Sequence, residues 1–77
     1  MKMLVLTKGN AIYYGEYRKK NKRWVHLKDV TWKRNSNRKS MHYNTCMIKK
    51  KSVRFRKFVE IDVAKYSYKE LMELVKG

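Results

Sequence analysis

Val53, Phe55, Val59, Ile61 and Val63 fall on every second position across Ser52 to Ala64, and Arg54, Arg56, Phe58, Glu60 and Asp62 stand between them. Only Lys57 interrupts the apolar set. A period of two places one set of side chains on each face of a strand, whereas a helix would scatter them around its axis. The pattern therefore predicts a strand over Ser52 to Ala64, half-buried and bent near Lys57. Earlier segments read the same way. Lys2 to Thr7 is a short apolar run followed by the turn signal Lys8-Gly9-Asn10, and Ala11 to Arg18 is rich in aromatic and branched residues. Gly15, inside that second run, suits a bend or a close backbone approach. From Arg23 to Trp32, Val25 and Leu27 alternate with Trp24, His26 and Lys28, but Val30 and Trp32 fall out of phase, which predicts a bulge near Lys28 and Asp29. Residues 41–48 read as a weaker strand, and Lys33 to Ser40, with no apolar residue, reads as a loop.

The period changes at the C-terminus. Ser67-Tyr68-Lys69-Glu70 is a capping-box sequence, and Tyr66 and Leu71 occupy the positions of a hydrophobic staple around it. Tyr68, Leu71, Met72 and Val75 then follow helical spacing on one face. A helix over about 67–76 is expected, drawing its stability from packing because it is too short to persist alone.

With 77 residues the chain forms one domain at 1–77, with room for a thin core and little for a deep catalytic pocket. The predicted class is mainly β: a small barrel of four or five antiparallel strands closed by one C-terminal helix. The lone Cys46 cannot make an internal disulfide, and the apolar run at residues 3–6 is too short for a signal segment. The expected setting is therefore a reducing, cytoplasmic one, with no membrane partner.

The formal net charge is +15, and it is not spread evenly. Residues 18–57 hold 16 of the 21 Lys and Arg and one acid, Asp29; outside them, five cations face five acids. Solubility alone asks for a net charge of only about 2 to 8 on a small domain. A dense block of like charge opposes folding unless a polyanion neutralises it, and neutralised phosphates release counterions. DNA or RNA is the expected partner, bound in an architectural or regulatory role with nucleoid or other nucleic-acid association. A second class is a basic phage- or mobile-element-type module that modulates an acidic host protein; a third is a ribosome-associated protein.

Gly9, Tyr14-Gly15-Glu16-Tyr17 and Trp24-Val25-His26-Leu27, with a basic hairpin between the last two, resemble the opening strands of SH3-like and Sm-like small barrels over residues 2–32. The segment Lys65 to Lys76 is similar to the closing helix of small chromatin proteins of thermoacidophilic archaea. The resemblance implies a barrel and nucleic-acid binding; the Lys33 to Ser40 loop and the longer middle depart from the archaeal pattern, and no site residue is carried over.

The candidate contacts come from the residues themselves. Arg18, Lys19, Lys20, Lys22 and Arg23 crowd a hairpin tip; Lys33, Arg34, Arg38 and Lys39 lie in the polar loop; Lys49, Lys50 and Lys51 form a third group; Arg54, Arg56 and Lys57 line the last strand. Long cationic side chains in such places reach phosphates without emptying a core. Trp24 and Trp32, with Tyr43 and Phe58, offer flat faces for base stacking, and alternation with Val25 turns Trp24 away from the core. Catalysis has no comparable support. His26 and His42 are not brought together by their spacing, His42 and Cys46 fall short of a four-ligand zinc site, and Glu60 and Asp62 are better explained by pairing with cations. No enzyme activity, metal or cofactor is expected. The chain is expected as a monomer or small homo-oligomer, in which an edge strand such as Ala11 to Arg18 or Val53 to Val63 pairs between copies.

Overall fold

The computed structural model describes residues 2–18, 22–34, 40–60, 63 and 65–77. Its strands are β1 (Met3–Lys8), β2 (Ala11–Arg18), β3 (Trp24–Arg34), β4 (Met41–Lys49) and β5 (Arg56–Val59), and the helix is α1 (Tyr68–Lys76). One antiparallel sheet runs in the order β4-β3-β2-β1-β5, so β1 to β4 form a meander and the chain then crosses to lay β5 on the free side of β1. The class is mainly β with a C-terminal helix. No pairing between β4 and β5 closes the sheet among the described residues.

β1 explains this arrangement. Leu4, Val5 and Leu6 are consecutive and fully buried, so both faces of the strand need cover. On one face Leu4 and Leu6 join Val25, Leu27, Val30 and Ile48, with Tyr13, Tyr17, Cys46 and Val53 packed against them. On the other, Val5 joins Ile12, Tyr14, Val59 and Val63 beneath Leu71 and Val75 of α1. The helix thus packs over the face made by β1, β2 and β5.

Two backbone devices shape the sheet. Gly9 has a φ of 57° at the first position of a two-residue turn between Lys8 and Ala11, a conformation that glycine adopts without Cβ strain. At Asp29, with a φ of 52°, β3 bulges: Glu16 pairs with Lys28 and Tyr14 with Thr31, so Gly15 alone faces Asp29 and Val30. The bulge restores Val30 to the same core as Leu27, and this is why the apolar alternation slips there.

Three sequence expectations change. The strand expected over Ser52 to Ala64 is a 3-10 turn at Lys50–Ser52 followed by the four-residue β5. Its ladder with β1 runs from Leu6 paired with Arg56 to Met3 paired with Val59. Before β5 the chain is still tied to β1, with the Thr7 amide donating to the Phe55 carbonyl at 2.9 Å and the Arg54 amide to the Thr7 carbonyl at 3.0 Å. Phe55, expected inside, is exposed; Ile61, Asp62 and Ala64 lie outside the described residues. Second, β3 continues through Lys33 and Arg34, expected in the loop, because Ile12 and Ala11 offer them partners. Third, Ala11 to Arg18 is no edge strand: β2 is paired on both sides, and the edges are β4 and β5.

The helix start is built as its sequence predicts. The Glu70 amide donates to the Ser67 hydroxyl at 3.2 Å and the Ser67 amide to the Glu70 carboxylate at 3.1 Å. Ser67→Ala is expected to cost about 1 kcal/mol in urea denaturation. The Ser67 amide, then its hydroxyl, with the Lys33 charge adding to them, hold the Glu70 carboxyl below its usual range. A carboxyl depressed in the folded state stabilises above its unfolded pKa and loses that contribution as pH falls through its folded pKa. Stability should therefore drop across the acid limb, and Glu70→Gln should flatten part of that drop.

Candidate functional site

α1 covers only part of its sheet face. Beyond it, the register places Arg18 opposite His26, His26 opposite Met47, Lys28 opposite Thr45 and Trp24 opposite Lys49, forming a three-strand surface without cover from α1. Arg18, Lys28, Met47 and Lys49 are exposed, and Trp24 and His26 half-buried. The sequence turns Trp24 outward but assigns Arg18 to a hairpin tip, whereas Arg18 ends β2 opposite His26; it does not single out Lys28 or Met47. Lys28 had a signal, since it shares the phase of Trp24 and His26. Met47 had none, because its position depends on how β4 pairs.

At the end of this surface lies a concavity of about 620 Å³ lined by Lys22, Arg23, Trp24, Lys49, Lys50 and Lys51. Five of the six are cations, drawn from two runs more than 25 positions apart at their extremes. Backbone bonding holds them together: Trp24 pairs with Lys49, and the Lys50 amide donates to the Arg23 carbonyl at 2.9 Å. The Lys49 ammonium stands 5.7 Å from the centre of the Trp24 ring, within cation–π range. The sheet thus keeps mutually repelling charges around one aromatic face.

The other expected contacts are distributed. Lys19, Lys20, Arg38 and Lys39 lie outside the described residues. Arg54 precedes β5, its guanidinium 5.8 Å from the Phe55 ring centre, and Arg56 and Lys57 are exposed on β5, at the sheet edge remote in order from β4. Arg54 and Arg56 therefore do not belong to one regular strand as the alternation predicts. Phe58 is 49% exposed but engaged, edge-on to Tyr17 at 5.2 Å, and Tyr43 is exposed on β4.

Lys33 has a different task. Its Nζ donates to the Tyr66 carbonyl at 2.6 Å in a half-buried setting, tying β3 to the residue before the helix cap. A charged hydrogen bond of this kind contributes about 1.5 to 3 kcal/mol. Lys33→Met is expected to lower stability by about that much while leaving the salt dependence of any polyanion binding unchanged, a pairing that urea denaturation and binding isotherms check together.

Trp32, whose direction the bulge obscured, packs at a tilt against Tyr13 with ring centres 6.3 Å apart, and the Arg34 guanidinium lies 4.8 Å from its ring centre. Burial pushes the Tyr13 phenol up, the neighbouring Cys46 and Tyr43 adding to the shift while the Trp32 indole and the Arg34 charge oppose it. Burial likewise raises the Cys46 thiol, which makes it a poor nucleophile at neutral pH. Among the described residues, no three His, Cys, Asp or Glu side chains gather where they could hold a metal, and no helix is long and apolar enough to cross a membrane.

Compared with protein-family profiles, with curated proteins and with solved structures, the chain matches none.

Proposed function

We propose that this chain binds nucleic acid, holding backbone phosphates in the concavity of Lys22, Arg23, Lys49, Lys50 and Lys51 and stacking a base or sugar face on Trp24. The convergence of two separate basic runs around one indole carries the reading. A phosphodiester chain offers closely repeated negative charges with flat rings attached, and this combination answers both features of the cavity. Arg18 and Lys28 extend the path over the uncovered strand face. The role is architectural or regulatory.

Titration of tryptophan emission with duplex DNA, single-stranded DNA and RNA tests the proposal. Saturable quenching that weakens as salt rises is expected. Trp24→Ala should weaken binding by about 1 to 3 kcal/mol for each base it stacks. Absence of binding to all three polymers, together with capture of one acidic protein that survives nuclease treatment, would replace this reading with the protein-modulator one.

A further inference from the structure

A second cavity, of about 400 Å³, opens at the other end of β3, where Lys8, Gly9, Asn10, Ala11, Tyr13, Trp32 and Arg34 meet. Trp24 and Trp32 are eight positions apart on one strand, roughly 26 Å if it were fully extended, so this cavity is separate from the first. Its walls combine two kinds of group. Tyr13 and Trp32 supply an aromatic side, and Lys8 and Arg34, both exposed, supply two cations at the rim. The Trp32 indole Nε1 is buried and has no hydrogen-bond acceptor among the described residues. The Tyr13 phenol is close enough for the indole N–H to oppose the rise in its pKa, yet the pair does not form a full hydrogen bond. A buried donor without a partner is costly to the fold, and an acceptor brought by a ligand would recover that cost.

We infer that this cavity takes a single nucleotide, its base against Tyr13 and Trp32 with a ring carbonyl or nitrogen accepting from the Trp32 Nε1, and its phosphate between Lys8 and Arg34. Aromatic walls alone would suit any flat apolar ligand, and cations alone any anion. The unpaired indole donor beside both selects a flat ring that accepts hydrogen bonds and carries an attached anion. Because Nε1 is buried, entry of the base requires a wall side chain to move; Arg34, exposed and set over the Trp32 ring, would leave the ring and turn to the phosphate. A base within a duplex is stacked and paired, so the nucleotide comes from an unpaired residue of a strand; this source rests on the nucleic-acid reading above.

The experiment follows the two indole N–H signals of the full chain in a proton–nitrogen correlation spectrum, assigned by the loss of one in Trp24→Phe. Each of the four ribonucleoside 5′-monophosphates is added, with ribose 5-phosphate and inorganic phosphate as controls. Millimolar monophosphates should shift the Trp32 signal, and the two controls should not. Arg34→Gln, an exposed substitution that leaves the fold intact, should weaken the effect by about tenfold or more. A blunt two-strand DNA duplex extended by a short single-stranded overhang should shift the same signal and bind about tenfold more tightly than the blunt duplex. No shift with any monophosphate, or an equal shift with phosphate alone, would overturn the nucleotide site even if the blunt duplex binds and the proposed function stands. Equal affinity for the two duplexes would overturn the unpaired strand as the source. Failure of every polymer, with the monophosphates still shifting Trp32, would sink the nucleic-acid reading and leave a free-nucleotide site.

Discussion

Replacing Gly15 with alanine is expected to lower stability by about 3 kcal/mol, at the top of the usual range for overpacking. The reason is geometric. A Cβ built at Gly15 would stand 2.8 Å from the Lys28 carbonyl oxygen, 3.2 Å from the Val30 Cα and 3.3 Å from the Asp29 carbonyl oxygen. All three are backbone atoms of the bulge, so no flexible side chain can swing aside. Relief requires β3 to move away from β2, which disturbs Leu27 and Val30, both fully buried. For a domain of this size 1 kcal/mol shifts the melting temperature by about 4 to 8 °C, so a fall of more than about 10 °C is expected. Gly9, with open space where a Cβ would stand, should respond less steeply, through its positive φ alone. Thermal melts of the two variants compare the effects directly.

The second large effect concerns the concavity at Trp24. Replacing Lys49, Lys50 and Lys51 together with glutamine should weaken polyanion binding by about a hundredfold near physiological salt, since each phosphate contact on a duplex contributes a salt exponent of about 0.9. All three lysines are exposed and none is buried in a core, so the fold should be unchanged or slightly stabilised as like-charge repulsion falls. The same substitution at Arg54, Arg56 and Lys57 is the internal comparison. These lie on and before β5 and do not line the concavity, so their loss should have a smaller effect. Equal losses from the two triplets would mean that overall charge, and not the gathered site, governs binding.

Much of this architecture was legible in local patterns. The capping box at Ser67 and Glu70, the turn at Gly9, the bulge at Asp29 and the outward turn of Trp24 each depend on residues close in sequence, where backbone preference and side-chain period act directly. What was not legible depends on partners. Alternation across Ser52 to Ala64 reports which side chains suit a half-buried surface, but a strand also needs a neighbour, and the regular ladder with β1 runs only between Met3 and Leu6, with Thr7 adding bonds to Arg54 and Phe55 outside it. Lys33 looked like its neighbours in a basic loop; its bond to the Tyr66 carbonyl spans 33 positions and leaves no local trace. The site divides in the same way. The sequence identified the cationic runs, but their union around Trp24 comes from the β3–β4 register, and the Tyr13–Trp32 cavity from the β2–β3 register, where the bulge hid the phase of Trp32.

If cations held together by the sheet bind a phosphate backbone, duplex DNA affinity must fall steeply with salt. With about six phosphates engaged, log K plotted against log salt should fall with a slope near −5, and the Lys49, Lys50 and Lys51 triple variant should give a slope shallower by about 2.7. A wild-type slope shallower than about −2, or a triple variant with the wild-type slope, would show that these cations do not gather phosphates.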